Sequence, residues 1–155
     1  ERFRHTRAEK IINLIREELT TGACYVCMQN DEVLRTVLVV SLRLRSEDTH
    51  VYQDRYLVQL GEIRGSNVIA ECRFPGTKRR EQETSFDAIK RFVHTYFTSV
   101  ADGIQLEVDE TETMIFIKDS PRYGIRTRYL RTTFNAVLLS DTSDLETLSL
   151  RKGSS

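Results

Sequence analysis

The sequence of 155 residues predicts an α+β fold or a layered α/β/α arrangement, in which a β-sheet lies between helices. Three observations predict this class. Strand-like segments dominate the chain, they cluster before and after one strong amphipathic helix, and they do not alternate with helices as in a βαβ array. Hydrophobic residues make up 39% of the chain, which is enough for a buried core and too much for a disordered segment.

The first predicted element is a helix over residues 7–19. Thr6, followed three residues later by Glu9, forms a capping-box pattern at its start, and Gly22 follows its end. An apolar stripe runs along the helix at the spacing of one helical face. This stripe comprises Ile11, Ile12, Leu14, Ile15 and Leu19.

Four strands are predicted next, each rich in β-branched or alternating apolar residues. They cover residues 24–28, 33–45, 51–64 and 68–74. A charged loop over residues 75–84 then leads into the strongest helix, predicted over residues 86–100 with Thr84 or Ser85 as its N-cap. Three further strands, the first two separated by an acidic turn at residues 109–113, are predicted over residues 104–108, 114–118 and 125–139.

These elements predict three parts: an N-terminal helix over residues 1–22, a domain over residues 23–140, and a flexible tail over residues 141–155. We expect the chain to be a piece of a longer protein, because it begins without Met and ends in small polar residues. No apolar run approaches the roughly 18 residues of a membrane helix, so no membrane contact is predicted.

The 23 basic and 23 acidic residues cancel, which argues against a large nucleic-acid footprint. Eighteen of the basic residues are Arg, the side chain suited to bidentate contacts with carboxylates and phosphates. Cys24 and Cys27 form a C-x-x-C on a predicted strand, where they point to opposite faces, and the histidines are scattered. The sequence therefore predicts no zinc site. It predicts an intracellular, reducing compartment.

Residues 74–93 resemble a Nudix box, the strand–loop–helix motif of Nudix hydrolases. Glu83 stands at the first glutamate of the motif, and Arg91, eight residues later, stands at its arginine. The resemblance implies a Nudix-like α/β/α sandwich with a mixed β-sheet, an N-terminal helix and one helix after the box. The other matching positions are Pro75, Gly76, Lys78, Thr84, Ala88 and Val93.

The remaining box positions depart from the family. Phe92, Thr95 and Tyr96 stand where active members carry the helix glutamates that hold Mg²⁺ or Mn²⁺, and Thr77 stands at the opening glycine. A hard divalent ion needs several oxygen ligands, and Phe92 offers none. The resemblance therefore implies a degenerate, catalytically inactive domain with no catalytic residue, metal or cofactor.

The two retained charged box residues have structural and functional interpretations. Glu83 could hold a metal alone or stabilise the helix start, and the structural role is favoured because its partner carboxylates are missing. Arg91 in the family makes a salt bridge within the box, for which Glu83 or Asp87 is the partner here.

Two basic groups are candidate contacts for a ligand or partner. Both could bind an anion or lie in solvent as a charged surface. If the second group lies on a strand, Tyr129 and Arg131 share one face and Arg126 and Arg128 the other, while Glu107, Asp109 or Glu112 could form cross-strand ion pairs with it. The first group comprises Lys78, Arg79 and Arg80, and the second comprises Arg122, Arg126, Arg128, Tyr129 and Arg131.

The sequence thus predicts a non-catalytic Nudix-like binding or regulatory module of a larger protein. Protein–protein interaction, with a separate partner or the rest of the parent chain, ranks first, and sensing of a nucleotide or other small anion ranks second. The alternative is a divergent Nudix hydrolase of nucleoside diphosphate-linked substrates. Such an enzyme would use carboxylates outside the usual helix positions, for instance Glu81, Glu83, Glu107 or Asp109.

Overall fold

A computed structural model describes residues 6–47, 55–64 and 66–139 of the chain. Within these residues the fold is mixed α+β, as predicted, with two α-helices, a short 3₁₀ turn and seven strands. The helices are α1 (Arg7–Thr20) and α2 (Ser85–Tyr96). The strands are β1 (Tyr25–Gln29), β2 (Glu32–Ser46), β3 (Gln59–Arg64), β4 (Asn67–Arg73), β5 (Gly76–Lys78), β6 (Ile104–Asp119) and β7 (Arg126–Leu138).

The main sheet is mixed and has the strand order β1-β2-β7-β6. β2 and β7 run parallel, paired from Arg35 opposite Thr127 to Ser46 opposite Leu138. β1 pairs antiparallel with the start of β2, and β6 pairs antiparallel with β7. β5 pairs antiparallel with the middle of β2. It lies on the same side of β2 as β1, which pairs with the start of that strand. β3 and β4 form a separate two-stranded sheet.

Helix α2 covers one face of this sheet and closes the core. Side chains alternate between the faces of a strand, so every second residue of β2 and β7 points at the helix. The helix contributes a wide apolar stripe to the same layer. The buried side chains of this layer include Val40, Leu42, Leu44, Ala88, Ile89, Phe92, Val93, Phe97, Phe134, Ala136 and Leu138.

Helix α1 contacts the opposite face of the sheet near the start of β2. Its Glu18 accepts a hydrogen bond from Arg35 of β2. Val40 faces α2, and Arg35 lies five residues before it on the same strand, so Arg35 points to the other face. The predicted capping box is confirmed, since Glu9 and Thr6 exchange side-chain-to-backbone hydrogen bonds. No residue of α1 is fully buried, so the helix is attached mainly along one partly buried side.

Four predicted elements differ from the structure. Residues 76–78 were expected in a loop but form β5. The second helix ends at Tyr96 rather than at residue 100, and Phe97 is its C-cap, with its N–H donating to the carbonyl of Val93.

The third correction concerns β6, which is one continuous strand through the predicted acidic turn. A register irregularity between Glu107 and Thr111 absorbs the extra residues, and the Asn135 side chain donates to the carbonyl of Glu110 there. The predicted strand over residues 51–64 is present from Gln59 onward. Residues 51–54 and the predicted tail over residues 141–155 lie outside the described residues.

Gly76→Ala tests how closely β5 approaches β2. A Cβ at Gly76 would lie 2.2 Å from the carbonyl oxygen of Val40, so the two backbones would have to separate. We expect the free energy of unfolding to fall by about 1–3 kcal/mol, measured by urea denaturation. Gly124→Ala is the comparison: nothing lies within 4 Å of its added Cβ, and only the positive φ of 67° opposes it. A smaller loss at Gly76 than at Gly124 would contradict the close approach.

Candidate functional site

The retained box residues form a clamp at the start of α2. The Arg91 guanidinium makes two bonds to the Glu83 carboxylate, one of them 2.9 Å long, and donates a third, 3.0 Å long, to the carbonyl of Lys78. The Arg80 N–H donates to Glu83 at 2.9 Å. The hydrogen bonds from Arg91 are the main reason that the pKa of Glu83 lies below its usual value. Both Glu83 oxygens are therefore engaged within the protein.

The sequence left Glu83 and Asp87 as possible partners of Arg91, and in the structure the partner is Glu83. Asp87 instead forms a capping box with Thr84, the N-cap of α2, whose N–H donates to the Asp87 carboxylate at 3.0 Å. The hydrogen bond from the Thr84 hydroxyl, and after it the one from the Thr84 N–H, lower the pKa of Asp87. The clamp ties β5 to the helix, and the capping box fixes the helix start.

The other box positions are divided between core and surface. Phe92 is only 4% exposed, and its ring centroid lies 5.0 Å from that of Tyr96 and 5.8 Å from that of Phe97. Thr95 is exposed and donates to the Arg91 carbonyl at 2.7 Å, and Thr77 lies in β5. At these helix positions the side chains are aromatic or hydroxyl groups rather than carboxylates.

In residues 6–47, 55–64 and 66–139, no group of three or more His, Cys, Asp or Glu side chains is placed to hold a metal ion. The C-x-x-C thiols differ in environment, because Cys24 is buried and Cys27 exposed. Burial is the main reason that the pKa of Cys24 is raised.

The basic run begins at the last residue of β5. The Lys78 ammonium forms an ion pair with Glu18. The backbone N–H of Arg79 donates to the carbonyl of Leu38 at 2.9 Å, and that of Arg80, an exposed residue, donates to Glu83. One of the three cations of the first candidate anion site is therefore already paired with a carboxylate.

The second basic group is arranged on two faces of β7. Arg128 donates to Gln29 of β1 at 2.8 Å, and Arg126 is exposed. Tyr129 and Arg131 point to the opposite face, where β6 adds two side chains that the sequence did not single out, Phe116 and Lys118. We call these last four residues the aromatic–cation cluster. Arg122 lies outside it, with its guanidinium 5.4 Å from the centre of the Tyr123 ring.

The aromatic–cation cluster is built on a stacked ring pair. The centroids of Phe116 and Tyr129 are 5.2 Å apart and the ring planes differ by 14°. Arg131 lies 5.2 Å from the Phe116 centroid, and the Lys118 ammonium lies 5.4 Å and 5.6 Å from the two rings. All three distances are within the range of cation–π attraction. Phe116 pairs directly opposite Tyr129 in the sheet, which explains the stacking.

The acidic residues of β6 have other partners than the β7 arginines. Glu112 pairs with Arg43 and Glu107 pairs with Arg45, each at 2.9 Å. The sequence suggested ion pairs of these glutamates with the second basic group, but their partners are arginines of β2, on the far side of β7. Glu107 and Glu112 are thus paired with arginines other than Arg126, Arg128 and Arg131.

Sequence reasoning missed a polar network beneath α1. The Glu18 carboxylate accepts hydrogen bonds from Arg35, from Lys78 and, at 2.9 Å, from the Tyr123 hydroxyl. Arg35 is 2% exposed and lies 5.0 Å from the Tyr123 ring centroid. A signal was present, because Glu18 lies at helical spacing on the apolar stripe of α1, three residues after Ile15.

The network shifts the titration of its members. Burial alone would raise the pKa of Glu18, but the hydrogen bonds from Lys78, Arg35 and Tyr123 outweigh it and bring the pKa to about 2. Burial and the bond to Glu18 raise the pKa of Tyr123 to about 12. Glu18 is therefore ionised and Tyr123 protonated at neutral pH.

Comparison of the chain with protein-family models and with curated proteins gives no match. In the described part of the chain, neither helix is long and apolar enough to cross a membrane. The candidate site is therefore characterised by the geometry of its own residues.

Glu83→Gln tests the clamp. Glutamine keeps the shape of the side chain but replaces a charge-assisted pair with a neutral contact. We expect the free energy of unfolding to fall by about 1–2 kcal/mol in urea denaturation. Glu81→Gln, at an exposed position two residues away, should change it by less than about 0.5 kcal/mol. Equal effects of the two substitutions would show that the clamp contributes nothing.

Proposed function

We propose that this chain is a non-catalytic binding module with a degenerate Nudix-like box, and that it contacts a protein partner through the aromatic–cation cluster. The partner is either a separate protein or another part of a longer parent chain. The observation that carries the proposal is the stacked pair of Phe116 and Tyr129 with Lys118 and Arg131 beside it.

The box supports a non-catalytic role. Active relatives in the resembled family place glutamates where this chain has Phe92 and Tyr96, and here these rings pack against each other at the core. Glu83, the retained acidic box residue, is held by Arg91 and Arg80. These contacts support the structural role that the missing partner carboxylates favour for Glu83.

The cluster has the chemistry of an interaction hot spot. Tyr and Arg are enriched at such sites, where aromatic rings give a large contact area with few rotatable bonds. Tyr129 and Phe116 are half-buried and fixed against each other, so binding would order little that is not already ordered. Lys118 and Arg131 favour a partner with acidic side chains.

A nucleotide is the second candidate, because the ring pair also suits a base and the two cations suit a phosphate. A thermal-shift panel of ADP-ribose, diadenosine phosphates and short RNA separates the candidates, since a ligand that binds the folded state raises the unfolding midpoint. A shift that Arg131→Glu abolishes would favour the nucleotide over the protein partner.

The protein-partner proposal is tested by charge reversal within the cluster. A partner recovered by affinity capture should be retained by Arg126→Glu, on the other face of β7, and lost with Arg131→Glu. Equal retention by both variants would overturn the proposed surface. Incubation with Mn²⁺ and a panel of dinucleoside and sugar diphosphates tests the enzyme alternative. Turnover that Glu83→Gln abolishes would overturn the non-catalytic role.

A further inference from the structure

The outer edge of β6 is a regular strand edge with a distinctive sequence. β6 is the last strand of the main sheet and pairs with β7; within the described residues no other strand pairs with it. Its register irregularity lies between Glu107 and Thr111, and residues 111–119 continue in unbroken register. This segment therefore presents a row of backbone N–H and C=O groups suited to a further strand.

The side chains along this edge are unusually apolar. Ile115 is 65% exposed, Met114 52% and Ile117 47%. Edge strands usually carry charges or bulges along their length to prevent pairing with another chain. Here the charges stand only at the two ends of the apolar run, with Glu112 before it and Lys118 after it.

We propose that β6 pairs antiparallel with β6 of a second copy of this chain, with the two-fold axis at Ile115. In this register Glu112 lies opposite Lys118 of the second copy, Met114 opposite Phe116, and Ile115 opposite its own equivalent. Residues directly opposite each other in an antiparallel pair share a face, so charge meets opposite charge and apolar meets apolar. The contact is isologous and closes as a dimer.

Other registers fit less well. A shift of the antiparallel axis by one residue, to Met114, would place Phe116 opposite Glu112. A parallel arrangement would place Glu112 beside Glu112 and Lys118 beside Lys118, which is repulsive. A purely acidic or purely basic partner strand would satisfy only one end of the segment. The second copy satisfies both ends because its sequence is the same.

The dimer is independent of the proposed function but has a consequence for it. Phe116 and Lys118 lie on the face of the aromatic–cation cluster, so pairing the edges would set the two clusters next to each other across the axis. The joined sheets would then present one continuous surface with two ring pairs.

Sedimentation equilibrium over a range of concentrations tests the proposal. The unmodified chain should dimerise, and Ile115→Lys should be monomeric because two ammonium groups would meet at the axis. Ile115 is exposed in the single chain, so its replacement should leave the unfolding midpoint nearly unchanged. Met28→Lys, a change at an equally exposed residue on the opposite edge strand β1, should dimerise normally.

A charge swap tests the register. Glu112→Lys alone and Lys118→Glu alone should each weaken the dimer about tenfold, since two attractive pairs become repulsive. The double variant should dimerise more tightly than either single variant, although Glu112→Lys also removes the ion pair with Arg43. A chain that stays monomeric at all concentrations, a dimer that survives Ile115→Lys, or a double variant that is no better than the single ones would overturn the proposal. Because Ile115→Lys leaves the cluster intact, partner capture by that variant reports on the proposed function separately.

Discussion

Replacing Glu18 by alanine is expected to lower the free energy of unfolding by about 3–5 kcal/mol. The Glu18 carboxylate is the acceptor for Arg35, Lys78 and Tyr123, which come from three separate parts of the chain. Arg35 is 2% exposed and would be left as a buried cation without its anionic partner. Such an uncompensated buried charge costs far more than an exposed ion pair gains. Urea denaturation at pH 7 measures the effect.

Glu17→Ala is the matched control for this substitution. Glu17 precedes Glu18 in α1 but is exposed, so its loss should change the free energy of unfolding by no more than about 0.5 kcal/mol. The Glu18 network would have no stabilising role if the two alanine variants unfolded at the same urea concentration.

The same network should make stability fall at low pH. The pKa of Glu18 is lowered from 4.5 to about 2 in the folded chain, so folding favours its ionised form. The resulting stabilisation is fully present above about pH 4.5 and is lost as the pH falls toward 2, because the unfolded state then binds a proton that the folded state does not. The shift corresponds to about 3 kcal/mol.

Urea denaturation at a series of pH values between 7 and 2 measures this loss. Glu83 and Asp87 also have lowered pKa values, so the informative quantity is the difference between the unmodified chain and Glu18→Ala. That difference should be constant near neutrality and shrink below about pH 4.5. A difference that stays constant down to pH 2 would mean that Glu18 titrates normally in the folded chain.

The fold features that the sequence predicts are those with local causes. The capping box of Thr6 and Glu9 depends on residues three apart, and the strand predicted over residues 33–45 closely matches β2 because its alternation is local. The parallel pairing of β2 with β7 brings together residues about 90 positions apart, such as Ser41 and Thr133, and no local pattern contains it. The continuity of β6 likewise depends on a hydrogen bond from Asn135 on another strand.

The candidate site divides in the same way. Alternation along β7 correctly places Tyr129 and Arg131 on one face and Arg128 on the other, since that follows from strand geometry. The contribution of Phe116 and Lys118 depends on the register between β6 and β7, which the sequence does not contain. The Glu18 network was missed for the same reason, as its members are brought together only by the tertiary fold.

Phe92→Glu introduces the glutamate that the resembled Nudix box carries at this position, and it is expected to unfold the domain rather than create a metal ligand. Phe92 is 4% exposed and packs among core residues of α2 and the sheet. Loss of the ring alone costs about 3–5 kcal/mol, and burial of an ionised carboxylate adds several more. The sum is comparable with the whole stability of a domain of this size.

Circular dichroism and urea denaturation measure the outcome, with two comparison variants. Phe92→Leu keeps an apolar side chain and should stay folded with a loss of about 1–2 kcal/mol. Thr95→Glu introduces a carboxylate at an exposed position of the same helix face and should change the free energy of unfolding by less than about 1 kcal/mol. If Phe92→Glu were as stable as Thr95→Glu, and Mn²⁺ raised its unfolding midpoint, position 92 would face a metal site and not the core. A buried phenylalanine and a solvated metal ligand need different environments, so this result would contradict the core position of Phe92.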